Sequence, residues 1–231
     1  KTWLGPDGKP WRNVTIPEKQ KVAETLREYR MSYAYNLLDE NLRDFNLAVP
    51  MYAQWDDHEV TNNWSDSKDL GADKRYTEKN IPRLTARATK AFLEYAPLRR
   101  TPDVESERIY RHLPQGPLLD LFVVDMRSYR GANSHNLQTS ENDESAFMGR
   151  PQIAWLLDGL KRSKATWKVI AADMPISLQV GDGKDTDGRD KWEASANGDD
   201  GAPRGREIEI ARLLREIKKA NIHNVVWLTA D

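Results

Sequence analysis

Leu118-Leu119-Asp120-Leu121-Phe122-Val123-Val124-Asp125 is the stretch that decides the fold. It is an apolar run of strand length, rich in residues that suit a buried sheet. Downstream, Gly131–Phe147 is polar and loop-like. A helix then opens near Pro151, a residue suited to a first helical turn. Its Ile153, Leu156, Leu157 and Leu160 follow the i, i+3, i+4, i+7 template. Trp167–Ala172 is the next apolar run, Arg206–Ala220 the next helix, and Asn224–Asp231 a final strand. Strands alternating with helices indicate an α/β sheet covered by helices. Upstream, Lys1–Pro17 reads as loop and Val22, Leu26, Tyr29, Tyr33 and Leu37 form one helical stripe. Leu47–Trp55 reads as a buried strand, Asn62–Asn80 as a loop and Leu84–Tyr95 as a helix. The whole of 1–231 is taken as one domain.

The composition narrows the function. With 35 Lys+Arg against 36 Asp+Glu the net charge is 35 − 36 = −1, which argues against a dedicated nucleic-acid or membrane-surface binder. No run approaches the roughly 18 apolar residues of a spanning helix. Aromatic content of 9%, with eight Trp, argues against disorder. The absence of Cys excludes disulfides, thiolate metal sites and cysteine nucleophiles from this chain. Lys1–Pro10 has no apolar stretch that reads as a signal peptide.

In open α/β sheets ligands bind beyond the carboxyl ends of the strands. Three of the expected strands end in reactive groups: Asp56-Asp57-His58-Glu59, Asp125-Met126-Arg127 and Asp231. The first belongs to Trp55-Asp56-Asp57-His58-Glu59-Val60-Thr61-Asn62-Asn63-Trp64. Its crowded carboxylates repel one another unless a cation neutralises them. Oxygen and imidazole donors together suit calcium, manganese or iron. Arg127 and Arg130 offer forks that can grip a phosphate or pair with a carboxylate. Gly181–Asp200 carries six Asp but lacks the EF-hand spacing, and reads as a loop bordering the site. His112, His135 and His223 stand singly. There is no Gly-x-Ser-x-Gly elbow, P-loop, Gly-x-Gly-x-x-Gly or zincin helix, so serine hydrolases, nucleotide-binding enzymes and zincins lose their usual signals.

The Asp56-Asp57-His58-Glu59 turn with Asn62-Asn63 closely resembles that of the PhoD-like alkaline phosphatase/phosphodiesterase (alkaline phosphatase D) family of metallophosphoesterases. The resemblance continues through Leu26–Arg30 with Tyr33, through Val123–Arg130, and through Gly149, Gln152, Trp155 and Leu156. It extends into Ala165–Ile170 and Asn224–Asp231, so that it covers Val22 to Asp231.

That resemblance implies a four-layered α/β/β/α sandwich and metal-dependent hydrolysis of phosphate monoesters or diesters. It implies iron together with calcium as cofactors, a small-molecule phosphate ester as partner, and a periplasmic or secreted location. By position, Asp57 and Asp231 would be metal ligands, His58 would face the leaving group, and Arg127 and Asn63 would contact phosphate. Two metals about 3.5–4 Å apart would clamp the phosphoryl group and supply hydroxide. The family's first metal-binding strands, with a Gly-Asp-x-x-Tyr segment, and the His following the Asp231 position are not in this chain. The expectation is therefore an internal segment of a larger enzyme, inactive alone. The rivals are a non-catalytic binding protein that kept the fold and a calcium-binding surface protein built on Gly181–Asp200.

Overall fold

The computed structural model describes residues 4–10, 14–99, 108–179 and 195–230. Its sheet has four strands in the order β1-β2-β3-β4: β1 (Arg111–Gln115), β2 (Leu119–Val123), β3 (Trp167–Ala172) and β4 (Val225–Thr229). β1 runs antiparallel to β2, while β2, β3 and β4 are parallel. Parallel neighbours need a crossover, and helices α4 (Arg150–Arg162) and α5 (Glu207–Lys219) supply the two.

Phe122, Ile170 and Trp227 share one sheet row and pack, with Ala172, against Ile153, Leu156 and Leu160 of α4 and Ile210, Leu213 and Ile217 of α5. The other face carries Leu121, Val169 and Val226 in one row, and it leaves Trp167, Val226 and Leu228 exposed by 49%, 42% and 62%. Apolar side chains on that scale mark a face built to be covered.

A buried carboxylate ties the helices together. Glu209 of α5 accepts the N–H groups of Met148 (2.6 Å) and Gly149 (3.2 Å) at the start of α4. Gly149 has φ +79°, a left-handed value, and a Cβ there would stand 3.2 Å from the Tyr129 Cβ.

A second apolar cluster joins α1 (Leu26–Asn36) to α3 (Ile81–Tyr95). It contains Tyr29, Trp55, Val60, Trp64, Leu84, Ala88 and Phe92. Thr25 and Glu28 make a capping box at the start of α1, and Asn80 caps α3. The irregular segment 62–80 is closed against α1 by buried Glu24. Its carboxylate accepts from Thr77 N (2.6 Å), Glu78 N (2.6 Å) and Thr77 Oγ1 (2.9 Å). Burial alone would raise the Glu24 pKa, but these bonds and Lys21 outweigh it and bring it down to about 2.

The mixed α/β class holds, with one four-stranded sheet among the described residues. The expected strand Leu47–Trp55 does not form. Asp39 caps α2 (Glu40–Ala48), which takes up Leu47 and Ala48. Pro50 cannot extend that helix and donates no N–H to a ladder. Residues 50–55 run on as irregular backbone, with Met51 and Tyr52 exposed. Side chains hold this run in place: Gln54 Nε2 donates to Val124 O (3.0 Å) and Arg111 Nη2 to Ala53 O. Residues 177–179 and 195–203 are irregular, as expected, while 180–194, with Asp182, Asp185, Asp187 and Asp190, lie outside the described residues.

Candidate active site

The acidic turn is set between two buried tryptophans. Trp55 and Trp64 flank it in sequence and meet edge to face, with ring centroids 4.9 Å apart. Between them, the N–H groups of Val60 and Thr61 both donate to Asp57 O, closing the turn. Asn63 takes a left-handed φ of +52°, which asparagine tolerates better than most residues, and this aims its N–H at Asp57 Oδ2. Tyr29 Oη donates to Val60 O (3.0 Å) from α1. The Asp57 carboxylate is thus buried and fixed, whereas the His58 ring beside it is 72% exposed, with Nε2 3.7 Å from Asp57 Oδ2.

Arg127 joins this turn to the sheet. It follows β2, is fully buried, and its backbone N–H caps Asp125 Oδ1 (3.0 Å). Its Nε donates to Asp173 Oδ2 (2.8 Å), just past β3, and to Asp56 Oδ1 (3.0 Å); Nη2 also reaches Asp56 Oδ1 and lies 4.0 Å from Asp57 Oδ1. One guanidinium thereby gathers the adjacent Asp56 and Asp57 and the distant Asp173. Asp125 itself is braced: Ser128 donates through N (3.0 Å) and Oγ (2.6 Å), and Gln152 bonds both its N and its O (2.7 Å each).

Electrostatics follow from this crowding. Burial raises the Asp173 carboxyl well above the usual carboxylate range, against the pull of Arg127 and with the help of Asp56. Burial likewise raises Asp125, whose bonds to Ser128 and Arg127 oppose the shift. Glu59, which accepts from Asp56 N (2.6 Å), is raised first by burial and then by the neighbouring Asp56 and Asp57 charges. Beside His58 a polar cavity of about 520 Å³ opens between α1 and the turn, lined among others by Lys21, Ser32, Tyr33, Asn36 and Arg75.

The sequence matches the PhoD-like phosphatase family over residues 1–231. The chain belongs to the PhoD-like phosphatase family. It is 31% identical over 223 residues to alkaline phosphatase D of Bacillus subtilis (strain 168), a match covering 90% of this chain and 35% of that protein. It also superposes on a solved structure described as "Structure of PhoD" with a TM-score of 0.66 and 28% identity, over 90% of this chain and 39% of the other. The PhoD-like chain thus spans about a third of the length of the curated relative it matches.

Of the residues expected at the site, the fold brings Asp57, His58, Asn63 and Arg127 together; Asp231 lies outside the described residues. The acidic turn reaches this place without a preceding strand. Asp173 is not among the residues that the sequence singles out, although the rule that ligands bind at strand ends points to it as readily as to Asp125. Gln152 and Ser128 carried no such signal. His112 stacks on Phe122 (4.4 Å between centroids) and lies 3.2 Å from Asp120, a packing role.

The donor types suit a hard or borderline cation, but among the described residues no three carboxylate or imidazole groups converge to enclose one. Asp57 offers one carboxylate beside His58. Asp173, bonded to Arg127 Nε through Oδ2, keeps Oδ1 buried without a hydrogen-bond partner among the described residues. The described residues by themselves therefore hold no complete metal shell.

Proposed function

We propose that this protein hydrolyses phosphate esters at the Asp57–His58 turn, with Arg127 beneath it. The observation that carries the reading is the buried Arg127 guanidinium drawing Asp56, Asp57 and Asp173 into one cluster at the carboxyl ends of β2 and β3, beside an exposed imidazole. Family membership supports the chemistry, since the relative that shares 31% identity is an alkaline phosphatase D.

In this reading Asp57, with donors outside the described residues such as Asp231, holds a metal ion; iron and calcium are the ions the family resemblance implies. Such an ion supplies activated water and positive charge to a phosphoryl group. This chain's own residues do the rest. The Asn63 N–H holds the Asp57 carboxylate in one orientation. Arg127 supplies positive charge to the phosphoryl oxygens, within a frame fixed by Asp173. His58, mobile enough in its exposed setting to reach a leaving oxygen, donates the proton that an alkoxide needs. The alcohol portion then lies on the His58 side, over the cavity lined by Ser32, Tyr33 and Asn36. The substrate is a small phosphate ester, handled outside the cytoplasm as in the exported family; no described helix is long and apolar enough to cross a membrane.

The test is metal analysis of the full-length protein together with phosphatase and phosphodiesterase assays on nitrophenyl substrates. Turnover that rises and falls with metal content supports the reading. Bound metal without turnover favours a binding protein that kept the fold.

A further inference from the structure

The three carboxylates around Arg127 are not equivalent. The side chains of Asp173 and Asp57 are 1% and 4% exposed, whereas that of Asp56 is 35% exposed. Asp57 is further tied by the Asn63 N–H, and Asp173, itself buried, accepts from Nε. Asp56 reaches Nε and Nη2 from the open side, and among the described residues its carboxylate hydrogen-bonds to Arg127 alone. Its backbone is held independently, through Asp56 N to Glu59 Oε2. The side chain can therefore swing out while the turn stays in place.

A carboxylate and a phosphate compete for the same guanidinium edge, because both present paired anionic oxygens to a fixed fork. When Asp56 swings out, Asp173 stays on Nε, so the buried guanidinium keeps an anion while the edge that Asp56 held exchanges a carboxylate for a phosphate. We propose that Asp56 is a resident carboxylate on the phosphate seat of Arg127, displaced when a phosphate ester arrives and returning as phosphate leaves. The inference rests on the reading that Arg127 contacts phosphate. It gives Asp56 a role distinct from metal binding: it sets how tightly inorganic phosphate is held, and so limits product inhibition.

The experiment uses the full-length protein and inorganic phosphate as the probe. Phosphate affinity is measured by calorimetric titration and as the inhibition constant against p-nitrophenyl phosphate. Asp56→Asn keeps the size of the side chain and removes the competing anion, so phosphate should bind about tenfold more tightly, the order expected from one charged hydrogen bond. Asp66→Asn is the control, since Asp66 interacts with Asp125 by charge but does not bond Arg127; it should shift affinity less than twofold. Unchanged or weaker binding in Asp56→Asn, or an equal gain in Asp66→Asn, overturns the proposal. If Asp56→Asn does not fold, a crystal of the unmutated protein soaked in phosphate gives the answer: phosphate on Arg127 with Asp56 swung away supports it, and Asp56 still bonded to Arg127 overturns it. Phosphate binding that Arg127→Lys leaves unaltered would instead refute the Arg127 reading on which the proposal stands.

Discussion

Replacing Glu24 by Gln tests how the segment that carries Asn63 is held. In the folded protein the Glu24 carboxylate takes two backbone N–H groups and one hydroxyl from Thr77 and Glu78, and pairs with Lys21 at 2.9 Å. Its pKa falls from 4.5 to about 2. A fall of that size corresponds to about 3 kcal/mol held by the ionised form. The folded value lies below the unfolded one, so this stability is present above about pH 4.5 and is lost as the pH falls towards 2. Gln can still accept one N–H but carries no charge, and Lys21 keeps Glu28 at 2.8 Å. Glu24→Gln should therefore cost about 2–3 kcal/mol near neutral pH. It should cost much less at pH 2.5, where the native carboxyl is itself being protonated. Urea unfolding of both proteins across this range measures the difference directly. A cost that is the same at pH 7 and pH 2.5 would refute the charge-based account of the clasp.

Asp57→Ala should lower metal content and turnover together, by opening the coordination shell; full metal with full turnover would remove Asp57 from the ligand set. Gly149→Ala forces a Cβ into a left-handed backbone against Tyr129, and should cost about 1–2 kcal/mol in thermal or urea unfolding. A neutral result would mean that α4 can start differently. Residues 1–231 produced alone should be inactive and should bind a hydrophobic dye through the face carrying Trp167, Val226 and Leu228. An active, monodisperse preparation without dye binding would contradict this.

The part of the fold legible in the sequence is the part with clean periodicity. β2, α4, β3, α5 and β4 fall where their apolar spacing places them. β1 is not legible because Arg111-His112-Leu113-Pro114-Gln115 is a polar edge strand containing a proline, and only its antiparallel pairing with β2 reveals it. Leu47–Trp55 misled because its apolar residues serve α2 and an exposed irregular run rather than a buried ladder. At the site, the acidic turn announced itself by its density of charge. The alliance of Asp56 with Asp173 could not be read from spacing, since it exists only because Arg127 reaches across from β2.

Phosphate ester hydrolysis at the Asp57–His58 turn is tested most directly by the leaving-group dependence of His58→Ala in the full-length protein. General acid help is typically worth about 10²–10⁴-fold and matters most for a poor leaving group. His58→Ala should keep most of the bound metal and lose far more turnover on an alkyl phosphate than on p-nitrophenyl phosphate, whose leaving group needs little protonation. Equal losses on the two substrates at unchanged metal content would take His58 out of the proton-donor role.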